Sequence, residues 1–250
     1  MNSDDADPFP RFIRIGKHAA STYKICLSTG IYLGVLLSAA AAKRDGAEPL
    51  PMALAAVGCA LAGLVGARAY HLFLFTSRYR DGAQAWDTAR GGAGLFGGLI
   101  AIALVSPAIA ALLQQPFGKF WDRLIIAMLV GAICTRLGCF LNGCCGGKPS
   151  ASWFAFRWHN HRGEQARRVP VQLLDFAWLL AGAITLCWLV NRPHAAGALA
   201  LGVIAWYGLG RFLLEPLRAE PDLVFGSLRV NRVIAAALAL GASAWLMWLS

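Results

Sequence analysis

The stretch from Thr135 to Gly147 reads Thr-Arg-Leu-Gly-Cys-Phe-Leu-Asn-Gly-Cys-Cys-Gly-Gly, and it gathers a guanidinium, an amide and three thiols within thirteen residues. It closes an apolar run and opens a polar loop. An arginine at the end of a membrane helix is costly unless it meets a partner or a water-filled cavity, so Arg136 marks a candidate site. The glycines beside it, Gly143 among them, let the backbone turn sharply and come close to a ligand. A second group, Arg211, Glu215 and Arg218, falls at i, i+4 and i+7, which a helix would place on one face. Pro216 is expected to kink or end that helix. One carboxylate between two guanidiniums can hold both as an aligned fork for a phosphate, the geometry that favours Arg over Lys. The competing reading is a snorkelling helix end with a surface ion network. With Arg136 on the same predicted face, anion binding is the favoured reading.

Weaker signals fall nearby. Arg68 and His71 lie one turn apart near the end of an apolar run, where an interfacial arginine is common. Gly91 to Gly98 holds five glycines, including Gly97 and Gly98. Such a run disfavours an ordinary helix start and implies close backbone approach, either to a lipid headgroup or to another helix. Gln172 and Asp175, at i and i+3 within apolar surroundings, are expected to satisfy each other or an arginine.

The elements that must position these groups are membrane helices. A bilayer core of about 30 Å needs roughly 20 apolar residues in a helix. That ruler places spans near 22–42, 51–75, 92–114, 121–143, 171–190, 196–214 and 230–249. The chain reads as an all-α polytopic membrane protein of about seven spans, a single transmembrane domain over 1–250. It has a surface lead-in over about 1–21, expected to be amphipathic, and two long polar loops at about 76–91 and 144–170. Composition agrees. Hydrophobic residues make up 58% and charged residues 14%, whereas a soluble domain is about half apolar and about a quarter charged. The net charge of +10 then fits anionic lipid headgroups rather than nucleic acid. The small residues within the spans, such as Gly58, Gly63 and Gly66, suit close helix contacts in lipid.

The acidic N-terminus has no basic region of the kind that begins a cleavable signal peptide. Of the seven cysteines, the four in apolar helix, Cys26, Cys59, Cys134 and Cys187, are expected to be small core residues. An odd count without regular spacing argues against a disulfide framework. The weight of basic residues on the face with the two long loops would put that face in the cytoplasm.

Taken together, these stretches resemble the bacterial prolipoprotein diacylglyceryl transferases over most of the chain. The family's Gly-Arg-x-Gly-x-Phe-x-Asn-Gly signature is similar to Thr135–Gly143, with Arg136, Gly138, Phe140, Asn142 and Gly143 retained. Its Gly-Gly-Arg resembles Gly66-Ala67-Arg68, and its Gly-Gly-x-x-x-His-Gly-Gly resembles Gly91–Gly98. Its His-Pro-x-Gln-Leu-Tyr-Glu resembles Val169–Asp175. Its Arg-Phe-x-x-Glu-x-x-Arg-x-x-Pro-Asp resembles Arg211–Asp222, with one more residue before Pro221. The resemblance implies about seven spans in the bacterial inner membrane and transfer of a diacylglyceryl group from phosphatidylglycerol to a lipoprotein-precursor thiol, releasing glycerol phosphate. It implies that Arg136, Arg211 and Arg218 bind and stabilise the phosphate as it leaves. Arg68, Gly97, Gly98, Asn142, Gly143, Gln172 and Glu215 would complete the substrate site. It also implies an extracytoplasmic active face, against the charge count, and the two orientations stay open.

The departures are specific. The family's two histidines are replaced by Phe96 and Val169, and its span-one tyrosine aligns with Thr29. An asparagine and a glutamate of the signature become Cys139 and Cys144. The chain therefore reads as a divergent, cysteine-containing paralogue whose acceptor is a lipoprotein precursor, another thiol or a different group. Thiols near arginines are biased toward thiolate. Cys139 or Cys144 could assist or receive the transfer, and Cys145 lies beside them. Alternatively Cys144 and Cys145 form a redox pair in a protein that binds lipid without transferring it, or all three fill a tight turn. Zinc on these cysteines with His159 or His161 is disfavoured, because adjacent ligands are awkward for a tetrahedral ion. No metal or cofactor is expected.

Overall fold

In the computed structural model, residues 12–15, 18–74, 94–159, 165–219, 224–225 and 228–249 are described. Among the described residues, seven helices are long and apolar enough to cross a membrane. They are α1 (Thr22–Arg44), α2 (Pro49–Leu74), α3 (Leu95–Leu112), α4 (Phe117–Asn142), α5 (Val171–Leu189), α6 (Ala198–Leu214) and α7 (Val230–Leu249). Each agrees with an expected span to within about a turn, because length and hydropathy alone specify a spanning helix. The 76–91 loop lies outside the described residues.

Among the described residues, three short antiparallel strand pairs accompany the helices: β1 (Phe12–Ile15) with β2 (His18–Ser21) ahead of α1, β3 (Phe156–His159) with β4 (Gln165–Arg168) between α4 and α5, and β5 (Val224–Phe225) with β6 (Leu228–Arg229) between α6 and α7. The described part of the lead-in is thus a strand pair. Phe-Ile-Arg-Ile is rich in aromatic and β-branched residues, which favour extended backbone.

Helix α4 is the central element. On one side it packs against α1, where Gly34 lies so close that a Cβ there would be 2.7 Å from the Ala127 carbonyl oxygen. On the other side Ile125 and Leu129 join Leu179 of α5 and Leu199 and Val203 of α6 in one apolar cluster. Phe120 and Leu124 join Ala42, Met52, Cys59 and Ala110 in a second cluster, shared with α1, α2 and α3. Large apolar side chains such as Leu61, Leu104 and Trp248 face outward, as a lipid-facing surface requires. Cys187 is exposed on α5 rather than packed in the core.

The start of α4 is charged and buried, and its charges are matched. Asp122 accepts hydrogen bonds from Gly197 N (2.7 Å) and Ala200 N (2.9 Å), capping α6. Arg123 donates to Asp45 (3.1 Å) and Gln115 (2.8 Å). Helices α5 and α6 are locked by a reciprocal tryptophan pair. Trp178 and Trp206 stack with centroids 4.3 Å apart, and each indole N–H donates to the other's backbone carbonyl at 2.9 Å. This lock fixes the register between the helices that carry Asp175 and Arg211.

The α2–α3 contact is similarly close. A Cβ at Gly97 would lie 2.1 Å from Tyr70 Cβ and 2.5 Å from the Gly66 carbonyl oxygen, whereas one at Gly202 would meet nothing within 4 Å. Gly97→Val should therefore destabilise the protein by about 1–3 kcal/mol, seen as a lower thermal midpoint in detergent. Gly202→Ala should leave the midpoint unchanged or raise it slightly.

Candidate functional site

Two distant stretches meet where α4 ends. Gly143 closes the helix in the left-handed conformation (φ 71°), and Cys144 N donates back to Cys139 O at 3.1 Å. This is the glycine-terminated helix end that satisfies the last carbonyls. The chain beyond is held by backbone hydrogen bonds on both sides. Lys148 N donates to Leu217 O (2.9 Å) and Ala219 N to Gly146 O (3.1 Å), while Gly147 N donates to Val169 O (3.1 Å). The cysteine loop is thereby pinned between the end of α6 and the start of α5.

Side chains complete the assembly. Arg136 Nε pairs with Asp175 Oδ2 at 3.2 Å, and Arg218 Nη2 donates to the same oxygen. Glu215 Oε2 pairs with Arg211 Nη2 at 2.9 Å and with Arg218 Nε at 3.4 Å. The helical face expected for Arg211, Glu215 and Arg218 is realised, although α6 gives way to a 3₁₀ turn over Glu215–Leu217, as a proline at 216 requires. Arg211 is 6% exposed and Glu215 1%. Three guanidiniums thus face two carboxylates, and buried charge is costly unless matched. Burial first, then repulsion from Arg211 and Arg136, pulls the Arg218 guanidinium below its ordinary value. The Nε and Nη1 atoms of Arg211 and the hydroxyl of Tyr207 are buried without a hydrogen-bond partner among the described residues. Among the described carboxylates and guanidiniums, the cluster is short of one anion.

A cavity of about 590 Å³ borders this cluster. At its polar end lie Arg136, Arg211, Glu215 and Arg218 with Tyr23 and Tyr207, and from there it runs between apolar residues such as Leu27, Ile31, Ile102 and Met128. A charged head and an apolar flank are the two surfaces that a phospholipid presents.

The three thiols line the same end. The Sγ atoms of Cys139, Cys144 and Cys145 lie within 4.8 Å of one another. Cys139 is buried, and Cys145 is exposed and lines the cavity. Hydrogen bonds from Cys139 and Cys144, then the charges of Arg136 and Arg218, hold the Cys145 thiol well below the usual thiol range. For Cys144, the bond from Cys139 lowers the thiol, but its bond to Cys145, burial and the Cys145 charge outweigh this and push it up.

The expected site residues divide accordingly. Arg136, Cys139, Gly143, Cys145, Arg211, Glu215 and Arg218 all line the cavity. Asn142 ends α4 beside Gly143, and its side chain lowers the Cys144 thiol by less than burial and Cys145 raise it. Gln172, fully buried, donates from Nε2 to Cys144 O at 2.7 Å, and Asp175 takes the arginines. Gly98 lines the cavity and also packs on Gly63, whereas Gly97 sits only in the α2–α3 contact. Arg68 is buried on α2, apart from the residues that line the cavity. Phe96 and Val169 are buried and apolar. Thr29 is exposed on α1, and it is Tyr23, one helical stretch earlier, that reaches the cavity. The position of Tyr23 was unrecognisable from its spacing, because a small residue, Gly138, is what lets α1 approach α4 there. Arg229, also unforeseen, donates to Glu215 O at 2.7 Å. His161 and the side chain of His159 lie outside the described residues.

Residues 10–248 match the sequence profile of the prolipoprotein diacylglyceryl transferases. Three relatives named phosphatidylglycerol–prolipoprotein diacylglyceryl transferase illustrate the similarity. That of Symbiobacterium thermophilum is 26% identical, covering 96% of this chain and 92% of the relative. That of Geobacillus kaustophilus is 27% identical over 94% and 91%. That of Enterococcus faecalis is 29% identical over 85% and 80%.

Removal of Asp175 strands two buried guanidiniums, and breaking a buried pair in this way costs about 3–5 kcal/mol. Asp175→Leu should therefore lower the thermal midpoint in detergent sharply. Arg44→Ala, which loses a pair whose side chains are 37% and 32% exposed, should change stability by about 1 kcal/mol or less.

Proposed function

The chain belongs to the prolipoprotein diacylglyceryl transferase family, and from that premise we propose that it moves a diacylglyceryl group from phosphatidylglycerol to a thiol acceptor, releasing glycerol phosphate. The observation that carries this reading is the anion-deficient cluster of Arg136, Arg211 and Arg218 at the polar end of an amphiphilic cavity.

In this reading the lipid phosphate sits between Arg136 and Arg211, whose unpartnered Nε and Nη1 donate to it. Arg218 supplies further positive charge. Asp175 and Glu215 keep the guanidiniums aligned, so little reorganisation is needed as charge moves onto the departing phosphate. The acceptor sulfur attacks the glyceryl carbon. The C–O bond to phosphate breaks and glycerol phosphate leaves with the electron pair. The acyl chains lie along the apolar flank of the cavity.

Gln172 holds the cysteine loop, Asn142 ends α4 just before it, and Gly143 turns it toward the cavity. The hairpin of β3 and β4 follows that loop, and the exposed Trp153 near its base suits contact with an incoming acceptor at the membrane surface. Acceptors of this reading are a lipoprotein precursor or another thiol. The seven spans and the bacterial relatives support a place in the bacterial inner membrane.

The test is release of glycerol phosphate by purified protein in detergent, given phosphatidylglycerol and a cysteine-bearing lipoprotein signal peptide. Release should depend on the peptide. It should fall at least about a hundredfold in Arg136→Ala and Arg211→Ala, the loss seen when a positioned charge donor is removed. Undiminished release in Arg136→Ala would overturn the assignment. Tightly held phospholipid with no release in any condition would instead mark a lipid-binding protein.

A further inference from the structure

The transfer reading leaves one chemical step without an agent: the acceptor thiol must lose its proton. No histidine is found among the described residues that line the cavity, and Glu215, the carboxylate there, is committed to Arg211 and Arg218. The cavity instead offers three thiols. Their Sγ atoms lie within 4.8 Å of one another, close to the separation of about 3.8 Å that sulfurs adopt around a tetrahedral ion with bonds of about 2.3 Å.

Adjacent cysteines ordinarily project apart, but here Cys145 holds a left-handed backbone (φ 58°) two residues after the left-handed Gly143 (φ 71°). A non-glycine residue rarely adopts that conformation, and such strain persists where the surroundings impose it. Here they do. The Cys144 carbonyl accepts from Gln172 Nε2 (2.7 Å) and the Cys145 carbonyl from Arg218 Nη1 (3.4 Å), while Cys144 N–H returns to Cys139 O (3.1 Å). The loop is curled so that all three sulfurs converge. A divalent cation would itself offset two of the three thiolate charges, and Arg136 and Arg218 face the third.

We infer that Cys139, Cys144 and Cys145 form a three-thiolate site for a soft divalent cation, zinc in particular, with its fourth position open to the cavity and available to the acceptor thiol. Three protein ligands and one open position are the pattern of a catalytic rather than a structural zinc. Thiolate ligands select such an ion over the hard cations of carboxylate sites. Coordination deprotonates the acceptor thiol outright, and the proton passes to water. The bound sulfur forms the C–S bond as the C–O bond to phosphate breaks, its electron pair leaving on glycerol phosphate. The cation therefore does the work of a base. The acceptor step rests on the transfer reading, whereas the coordination itself does not.

The test uses the full-length protein in detergent, reduced and then stripped by a chelator. Cadmium titration, read by thiolate-to-metal absorption in the ultraviolet, should saturate at one ion per chain, and cadmium should displace zinc from zinc-loaded protein. The band should be lost in Cys139→Ser, Cys144→Ser and Cys145→Ser and kept in Cys187→Ser. X-ray absorption at the zinc edge of the wild-type protein avoids dependence on the variants folding. It should show three sulfur neighbours at about 2.3 Å. Absence of the band, or a zinc shell of nitrogen and oxygen alone, would overturn the site. Glycerol phosphate release at full rate from stripped protein, unchanged by added zinc, would overturn the acceptor step while sulfur ligation stood. Sulfur ligation without any release would uphold the site and remove the transfer reading instead.

Discussion

Asp175 is the residue on which the arrangement depends. It sits on α5, nearly buried, and accepts both Arg136 from α4 and Arg218 from beyond α6. A single carboxylate oxygen thereby joins three elements that are far apart in sequence. Among the described residues, three guanidiniums (Arg136, Arg211 and Arg218) meet two carboxylates, Asp175 and Glu215, so one positive charge is left unmatched. Buried ion pairs of this kind add little net stability. Their value is in orientation, and here they hold an excess of positive charge at the mouth of an apolar cavity. That imbalance is what a phosphate would correct.

The surrounding fold serves that alignment. Close contact between α1 and α4 brings Tyr23 beside the thiols, while the reciprocal Trp178–Trp206 pair fixes α5 against α6. Backbone pairing of the cysteine loop with Leu217–Ala219 and with Val169 sets the third distance. The opposite ends of the helices are fastened by matched charges at Asp122 and Arg123. The charged site is therefore carried by rigid elements, which suits electrostatic stabilisation of a leaving group.

Much of this was legible in the chain. The spans follow from hydropathy and length, and the common face of Arg211, Glu215 and Arg218 follows from helical period. Gln172 and Asp175 were recognisable as groups in need of partners. Which partners they took was not, because a pairing between residues 136 and 175 depends on how α4 and α5 pack. The Gly91–Gly98 run had two readings, and at Gly97 helix contact decides between them. Tyr23 at the cavity went unmarked because an apolar helix carries no sign of which face meets a neighbour. The adjacent cysteines looked ill suited to a shared ligand until the left-handed backbone at Cys145 turned them together, and a backbone angle at a non-glycine residue leaves no trace in sequence. The lead-in reads as a surface segment without an assigned backbone form, and its described part pairs as strands.

The central claim is that the site transfers a diacylglyceryl group from lipid to sulfur, and the product itself tests this most directly. A cysteine-bearing signal peptide incubated with the protein and phosphatidylglycerol of defined acyl chains can be weighed intact. The account predicts a mass gain equal to one diacylglyceryl group, on the cysteine, that survives hydroxylamine because the bond is a thioether. An unchanged peptide, or a gain of a single acyl chain that hydroxylamine removes, would contradict it.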